Sequence, residues 1–410
     1  MLTRWEFELP TRIRFGRRRL NELGPVARDI GRSALLVGYR DRSGLDDLYE
    51  RAMQSLKDAG LAAIEFFDVP PDPDAELAEQ GAERARQTGA EVVIGLGGGS
   101  VLDAAKGIAV LARSDGTAWD YTTANEAHRP VPEALPIVAV PTTAGTGSEV
   151  TPVAVFTHRG VGPDADVPLK ASISSPRIRP RVALIDPDAT LGSPPRLTAA
   201  CGADALGHAL EAYISRAANP LSSALAARAV RLIVKNLTRA VESPDDPEPR
   251  EALSLAAMLA GAAFGSAGVV MTHAIAQALG AVLHLPHGEA VALGTPVNLR
   301  YNLDAAEEQY AQLAHYCGVT AESRREKAER FVELVAKLLR TVGLADHIEA
   351  AVVANATGAD VTDEVARKAL AEKLTRNAFA STPVPLKLNP RRVRPEDLRQ
   401  VFLHLLSPGD

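Results

Sequence analysis

The stretch IGLGGGSVLDAAKGIAV, Ile94 to Val110, runs from a short apolar segment through three glycines into a helix-forming pattern. A strand that feeds a helix through glycine is the unit from which doubly wound α/β domains are built. Gly97, Gly98 and Gly99 let the backbone approach a ligand closely, and a helix opening near Ser100 aims unpaired N–H groups at an anion. The loop is not the G-x-G-x-x-G fingerprint and lacks a P-loop's Lys-Ser/Thr ending. Asp103, three residues after Ser100, suits a capping box, and Lys106 reads either as a phosphate contact or as a solvated helix residue. Working outward, Ser33 to Val37, Glu91 to Leu96, Pro136 to Val140 and Val182 to Ile185 are short continuous apolar runs, as strands of a parallel sheet are when helices cover both faces. Leu45 to Ala59 and Asp74 to Thr88 carry helical periodicity between them, and Val153 to Ser174 reads as a hairpin excursion. A second loop at a strand end, VPTTAGTGSEV, offers hydroxyls from Thr142, Thr143, Thr146 and Ser148 and backbone freedom at Gly145 and Gly147. Such a loop suits a polar ligand threaded past main chain, and two such loops favour a dinucleotide over a pair of ordinary turns.

The character changes near IDPDATLGSPPRLT. From Thr198 onward Ala- and Leu-rich helical patterns dominate, with SPDDPEPRE and NATGADVTDE as polar turns. The expected organisation is an α/β domain over residues 1–191 and an all-helical domain over residues 192–410.

The helical half carries a group of candidate metal ligands. Asp204 and His208 lie four residues apart in CGADALGHALEAYIS, on one face of a helix. His273 opens the helical run HAIAQALGAVL, and His287 stands in the Pro-His-Gly turn after it. Each alone would be an ordinary polar residue. Together, three imidazoles and one carboxylate suit Fe(II), or alternatively Zn(II), better than Mg or Ca. A closed structural zinc site would bring thiolates, and neither cysteine lies at ligand spacing.

Bulk properties exclude several classes. A formal net charge of −6 leaves no electrostatic footprint for nucleic acid or an anionic membrane. Two cysteines, Cys201 and Cys317, make no disulfide framework, so a reducing, cytoplasmic setting is expected. The charged N-terminus does not read as a signal peptide, and no run reaches spanning length.

With these motifs in place, the chain resembles the iron-containing (group III) alcohol dehydrogenase family nearly end to end. LPTRIRFGRRRLNELG resembles its N-terminal strand, and GGGSVLDAAK and PTTAGTGSEV its two cofactor loops. IDPDATLGSPPRLTAACGADALGHALEAYIS and HAIAQALGAVLHLPHGEAVALGTPVNLRYN resemble its central signatures, and NPR at Asn389 to Arg391 its C-terminal triplet. The resemblance implies a Rossmann-like dinucleotide domain joined to a helical metal domain, a dehydroquinate synthase-like architecture with the active site in the cleft. It places Asp204, His208, His273 and His287 on the metal ligands. It also places Gly97, Gly98, Gly99, Ser100 and Asp103 on the pyrophosphate and nicotinamide-ribose contacts, and Thr142, Thr143, Thr146 and Ser148 on the nicotinamide loop. The implied reaction is reversible hydride transfer between NAD(P)H and a small metal-bound aldehyde or ketone. A homodimer or larger homo-oligomer is the expected assembly.

Two departures stand out. The family's further histidine, four residues after the third ligand and assigned to proton relay, is here Gln277, which hydrogen-bonds but does not titrate near neutrality. Gln277 is therefore read as a substrate-facing residue, favouring an aldehyde with a polar or acidic group; Lys387 and Arg391 are weighed as cleft cations against solvated surface residues. After the first strand of the core, where NAD-preferring relatives often carry an acid, the chain reads VGYRDR, with Tyr39 at that position and Arg40 and Arg42 beside it. Loss of the acid favours NADP(H) over NAD(H), although Asp41 would restore it if the alignment shifted. The rival readings are a glycerol- or polyol-type dehydrogenase, a sugar-phosphate cyclase, and a metal-dependent hydrolase with a structural nucleotide site.

Overall fold

A computed structural model describes residues 4–42, 44–164 and 167–407. Eight strands are present among them: β1 (Arg12–Phe15), β2 (Ser33–Tyr39), β3 (Ala62–Val69), β4 (Val92–Gly97), β5 (Ile137–Pro141), β6 (Val153–His158), β7 (Leu169–Ser174) and β8 (Val182–Ile185). Six form one parallel sheet in the order β1-β8-β5-β4-β2-β3, and β6 and β7 pair as an antiparallel hairpin. The inner strands β2, β4, β5 and β8 are apolar without alternation because helices cover both faces. β4, VVIGLG, is buried along its whole length.

Four helices belong to this half: α1 (Leu23–Arg28), α2 (Asp46–Asp58), α3 (Ala75–Gln87) and α4 (Gly99–Leu111). In α2 the buried side chains are Tyr49, Ala52 and Leu56, three to four residues apart, so one face meets the sheet and the charged residues meet solvent. α4 differs, with ten buried residues from Val101 to Leu111, because it lies between the sheet and the β6–β7 hairpin. The chain steps outward from β2 to β3 and then back to β4 on the other side of β2. The crevice beyond the carboxyl ends of β2 and β4 is thus a topological switch point, where sheets of this kind bind ligands.

From Pro195 every described element is a helix: α5 (Pro195–Ile214), α6 (Pro220–Glu242), α7 (Pro247–Ala267), α8 (Met271–Leu283), α9 (His287–Tyr301) and six more. α5 is the axis. It packs on α6, α7 and α9, and from Thr198 to Ile214 all its residues but Cys201 are buried. The start of α9 presses against it, since a Cβ on Gly288 would come within 2.3 Å of the Ala200 carbonyl oxygen. No single described helix is long and apolar enough to cross a membrane.

Candidate active site

Three elements bring the proposed ligands together. α5 supplies Asp204 and His208, the first turn of α8 supplies His273, and His287 is the first residue of α9. His287 is therefore helical, a correction to its reading as a turn residue; the glycine after it allows α9 to start hard against α5. Asp204 Oδ1 lies 3.4 Å from His273 Nε2, 3.4 Å from His287 Nε2 and 3.7 Å from His208 Nδ1. The Asp204, His208 and His273 ligand atoms lie within 4.8 Å of one another. All three residues are buried, whereas the His287 side chain is 33% exposed and faces the cavity.

Asp204 Oδ1, His208 Nδ1 and His273 Nε2 are buried and have no hydrogen-bond partner. Buried polar atoms are normally paired, and three lone-pair donors that converge unpaired suit a borderline-soft divalent cation. Burial drives the His208 ring down to about 3. Burial also opposes charge on His273, but the Glu211 and Asp204 carboxylates outweigh it and hold the ring up at about 10, so a metal ion taking the Nε2 lone pair would displace a proton from that nitrogen. Asp204 sits well below the usual carboxylate range despite its burial, because imidazoles surround it. Phe264 stacks on His208 at 4.2 Å and covers that imidazole with an apolar ring.

A cavity of about 480 Å³ runs from this cluster to the glycine loop, touching Gly99, Ser100, Thr146 and Ser148 at one end and Gln277 and Phe264 at the other. Gly98 and Gly99 admit no side chain. A Cβ would meet the Tyr39 hydroxyl at 2.7 Å or Thr146 Cγ2 at 2.5 Å. Thr142 follows β5 directly and donates its N–H to the Gly97 carbonyl at 3.0 Å, which ties the two loops together. Thr143 lies over Gly98.

The readings of Asp103 and Lys106 need correction. Asp103 makes no capping box: α4 is capped by Gly98 without a side-chain bond, and the Asp103 carboxylate accepts from the Ser148 hydroxyl at 2.7 Å and the Val155 N–H at 2.9 Å. Lys106 neither reaches a phosphate nor meets solvent. It is fully buried, and its Nζ donates to Ser148 Oγ, Thr151 Oγ1 and the Val153 carbonyl. Lys387 and Arg391 do not line the cavity; the Arg391 guanidinium lies over the Tyr301 ring at 4.2 Å. Arg42 is drawn toward Asp46, at 3.6 Å, and over Phe67. His284 adopts a left-handed conformation (φ 55°) at the end of α8, a structural position.

Other residues escaped the sequence reading. Lys170 on β7 lines the cavity and pairs with Asp72 at 2.8 Å. Glu211, seven residues after Asp204 on α5, is fully buried behind His273. Its heptad spacing from Asp204 was a signal available in the sequence. No local pattern pointed to Lys170.

Fold and site together set a candidate metal-ligand cluster in a helical domain against the switch point of a parallel sheet. Family models match accordingly: "Iron-containing alcohol dehydrogenase" over residues 10–187 and "Fe-containing alcohol dehydrogenase family, C-terminal" over residues 198–384. The 1,3-propanediol dehydrogenase of Citrobacter freundii is 36% identical, covering 84% of this chain and 88% of its own. The NAD-dependent methanol dehydrogenase of Bacillus methanolicus is 32% identical over 98% and 99%, and the NADPH-dependent butanol dehydrogenase of Clostridium saccharobutylicum 29% identical over 97% and 96%. A crystal structure of a 1,3-propanediol oxidoreductase superposes with a TM-score of 0.87 at 31% identity, covering 98% of this chain and 100% of the other. The chain belongs to the iron-containing alcohol dehydrogenase family, and its enzyme class is NAD(P)-dependent alcohol dehydrogenase.

Proposed function

We propose that the protein interconverts a small alcohol and its aldehyde or ketone at a metal held by Asp204, His208, His273 and His287, with a nicotinamide cofactor over the two loops. The observation that carries this reading is the convergence of three buried, unpartnered ligand atoms at one end of a cavity whose other end is the glycine loop. When bound, a divalent ion there supplies Lewis acidity toward a substrate oxygen, and the nicotinamide supplies the hydride. The chain's own residues hold and shield. His287 borders the open side of the cluster, Phe264 excludes water from His208, and Ser100 and Thr146 line the path to the glycine loop.

Gln277 stands one helical turn after His273 and lines the same cavity, with Oε1 buried and unpartnered. The unpartnered amide oxygen calls for a hydrogen-bond donor, which a hydroxyl provides, whereas a carboxylate would meet only the amide NH2 and leave that oxygen unpaired. The cation in the cavity wall, Lys170, is already paired with Asp72. Of a polar and an acidic substrate group, the neutral polar one is favoured, as in a hydroxyaldehyde or a diol. An NADPH-oxidation assay on matched hydroxyl-bearing, acidic and plain aldehydes tests this. Gln277→Leu, which removes the acceptor, should lower selectivity for the hydroxyl-bearing aldehyde by about tenfold, the worth of one neutral hydrogen bond to a group otherwise unpaired. Selectivity unchanged within twofold, or a preference for the acid, would refute the substrate assignment.

For the cofactor, the proposal is NADP(H). Tyr39 ends β2 and packs over Gly98, and it offers no carboxylate to repel a 2′-phosphate. Arg40 is exposed beside it, and Arg42 follows.

A further inference from the structure

Glu211 is a carboxylate with no exposed surface, set inside the helical domain. Burying a charge is costly unless it is paired and hydrogen-bonded, and its pairing here is specific. Among the described residues its ion-pair partner is His273, whose Nδ1–H donates to Oε2. The other oxygen, Oε1, accepts the backbone N–H of Val270 at 3.0 Å and that of His273 at 3.3 Å. Those N–H groups belong to the N-cap and first turn of α8, which have no partner within their own helix and sit at the positive end of its dipole.

We infer that Glu211 is the positioning residue of the metal cluster, fixing both the tautomer and the place of His273; this rests on the metal site proposed above. A proton held on Nδ1 by a carboxylate leaves the lone pair on Nε2, and Nε2 is the atom found unpartnered toward Asp204. The same carboxylate grips the His273 backbone, so ring and main chain are fixed from one point. Glu211 shares α5 with Asp204 and His208, seven and three residues before it, on one face of the helix. One rigid helix therefore carries two ligands and the group that aims the third.

The variant Glu211→Gln keeps the shape but removes the charge and sets an amide against Nδ1. Glu211→Asp keeps the charge and retracts it by one methylene. Zinc affinity, measured on each purified folded variant by competition with a chromophoric chelator, should fall ten- to a hundredfold in Glu211→Gln and by an intermediate amount in Glu211→Asp. The visible spectrum of the cobalt-substituted protein should change in both, while cofactor affinity stays at the wild-type value. If Glu211 only caps α8, melting temperature would fall with zinc affinity and cobalt spectrum unchanged, and the inference would be overturned. Should Glu211→Gln not fold, wild-type zinc affinity in Glu211→Asp overturns it equally. His208→Ala is the control for the underlying reading: full zinc retention there would condemn the metal site itself, whatever the Glu211 variants do.

Discussion

The two walls of the cleft are made of different materials. On the sheet side, the loops after β4 and β5 present main chain and small hydroxyls, and their defining property is the lack of side-chain volume at Gly98 and Gly99. On the helical side, the working atoms are lone-pair donors of Asp204, His208 and His273, all buried, and of the part-exposed His287, with His273 held by Glu211. The helical wall therefore concentrates its chemistry in a few irreplaceable groups, and the sheet wall spreads recognition over many weak contacts. Substitutions on the two walls should fail differently.

The largest effect is expected on the helical wall. His273→Ala removes a ligand atom and leaves Glu211 as a buried, half-paired carboxylate; turnover and most bound metal should be lost. Elemental analysis and rate measurement check this, and full occupancy with normal rates would erase the contrast. On the sheet wall, Gly99→Ala places a methyl only 2.5 Å from Thr146 Cγ2. Overpacking of this kind costs about 1–3 kcal/mol, so KM for the cofactor should rise about ten- to a hundredfold while metal content stays full. Loss of metal in that variant would mean the walls are coupled.

Cofactor choice sharpens the sheet side further. A charge-assisted contact to a 2′-phosphate contributes about 1.5–3 kcal/mol, so kcat/KM should favour NADP(H) by about one to two decades. A tenfold preference for NAD(H) would sink that assignment.

The smallest effect concerns Glu149, buried directly after Ser148, whose carboxyl burial pushes up to about 7. A carboxyl raised in the folded state holds its proton more tightly there than in the unfolded chain. The stability it contributes is complete below pH 4.5 and is lost as pH rises through 7. Glu149→Gln should therefore melt progressively higher than the wild type between pH 5 and 8. A melting difference that does not vary with pH would rule out ionisation at this position.

Much of the fold could be read from local pattern. The strand, glycine and helix order around Gly97 to Gly99 appears as β4 and α4, and the run Val153 to Ser174 contains the expected hairpin. The i, i+4 pair Asp204 and His208 could be read because helical geometry alone puts both on one face. The proposed ligands on α8 and α9 were legible as residue types and through family resemblance, but nothing local shows His287 within 3.4 Å of Asp204.

What the sequence by itself determined, then, are the properties with short range. These are the periods that make strands and helices, the glycines that permit close approach, and the residue types that can bind a metal. Tertiary structure alone decided which of two plausible fates each polar residue met. Lys106 has the look of a solvated helix lysine, yet the hairpin closes over α4 and turns it into a buried strut under Ser148. Asp103 fits a capping box by spacing, but Ser148 and Val155 from distant segments take both its oxygens. Lys170 became a cavity residue paired with Asp72, and Glu211 became the partner of His273. The physical reason is the same each time. A buried polar group must find partners, those partners come from segments far along the chain, and only the packed fold brings them within hydrogen-bond distance.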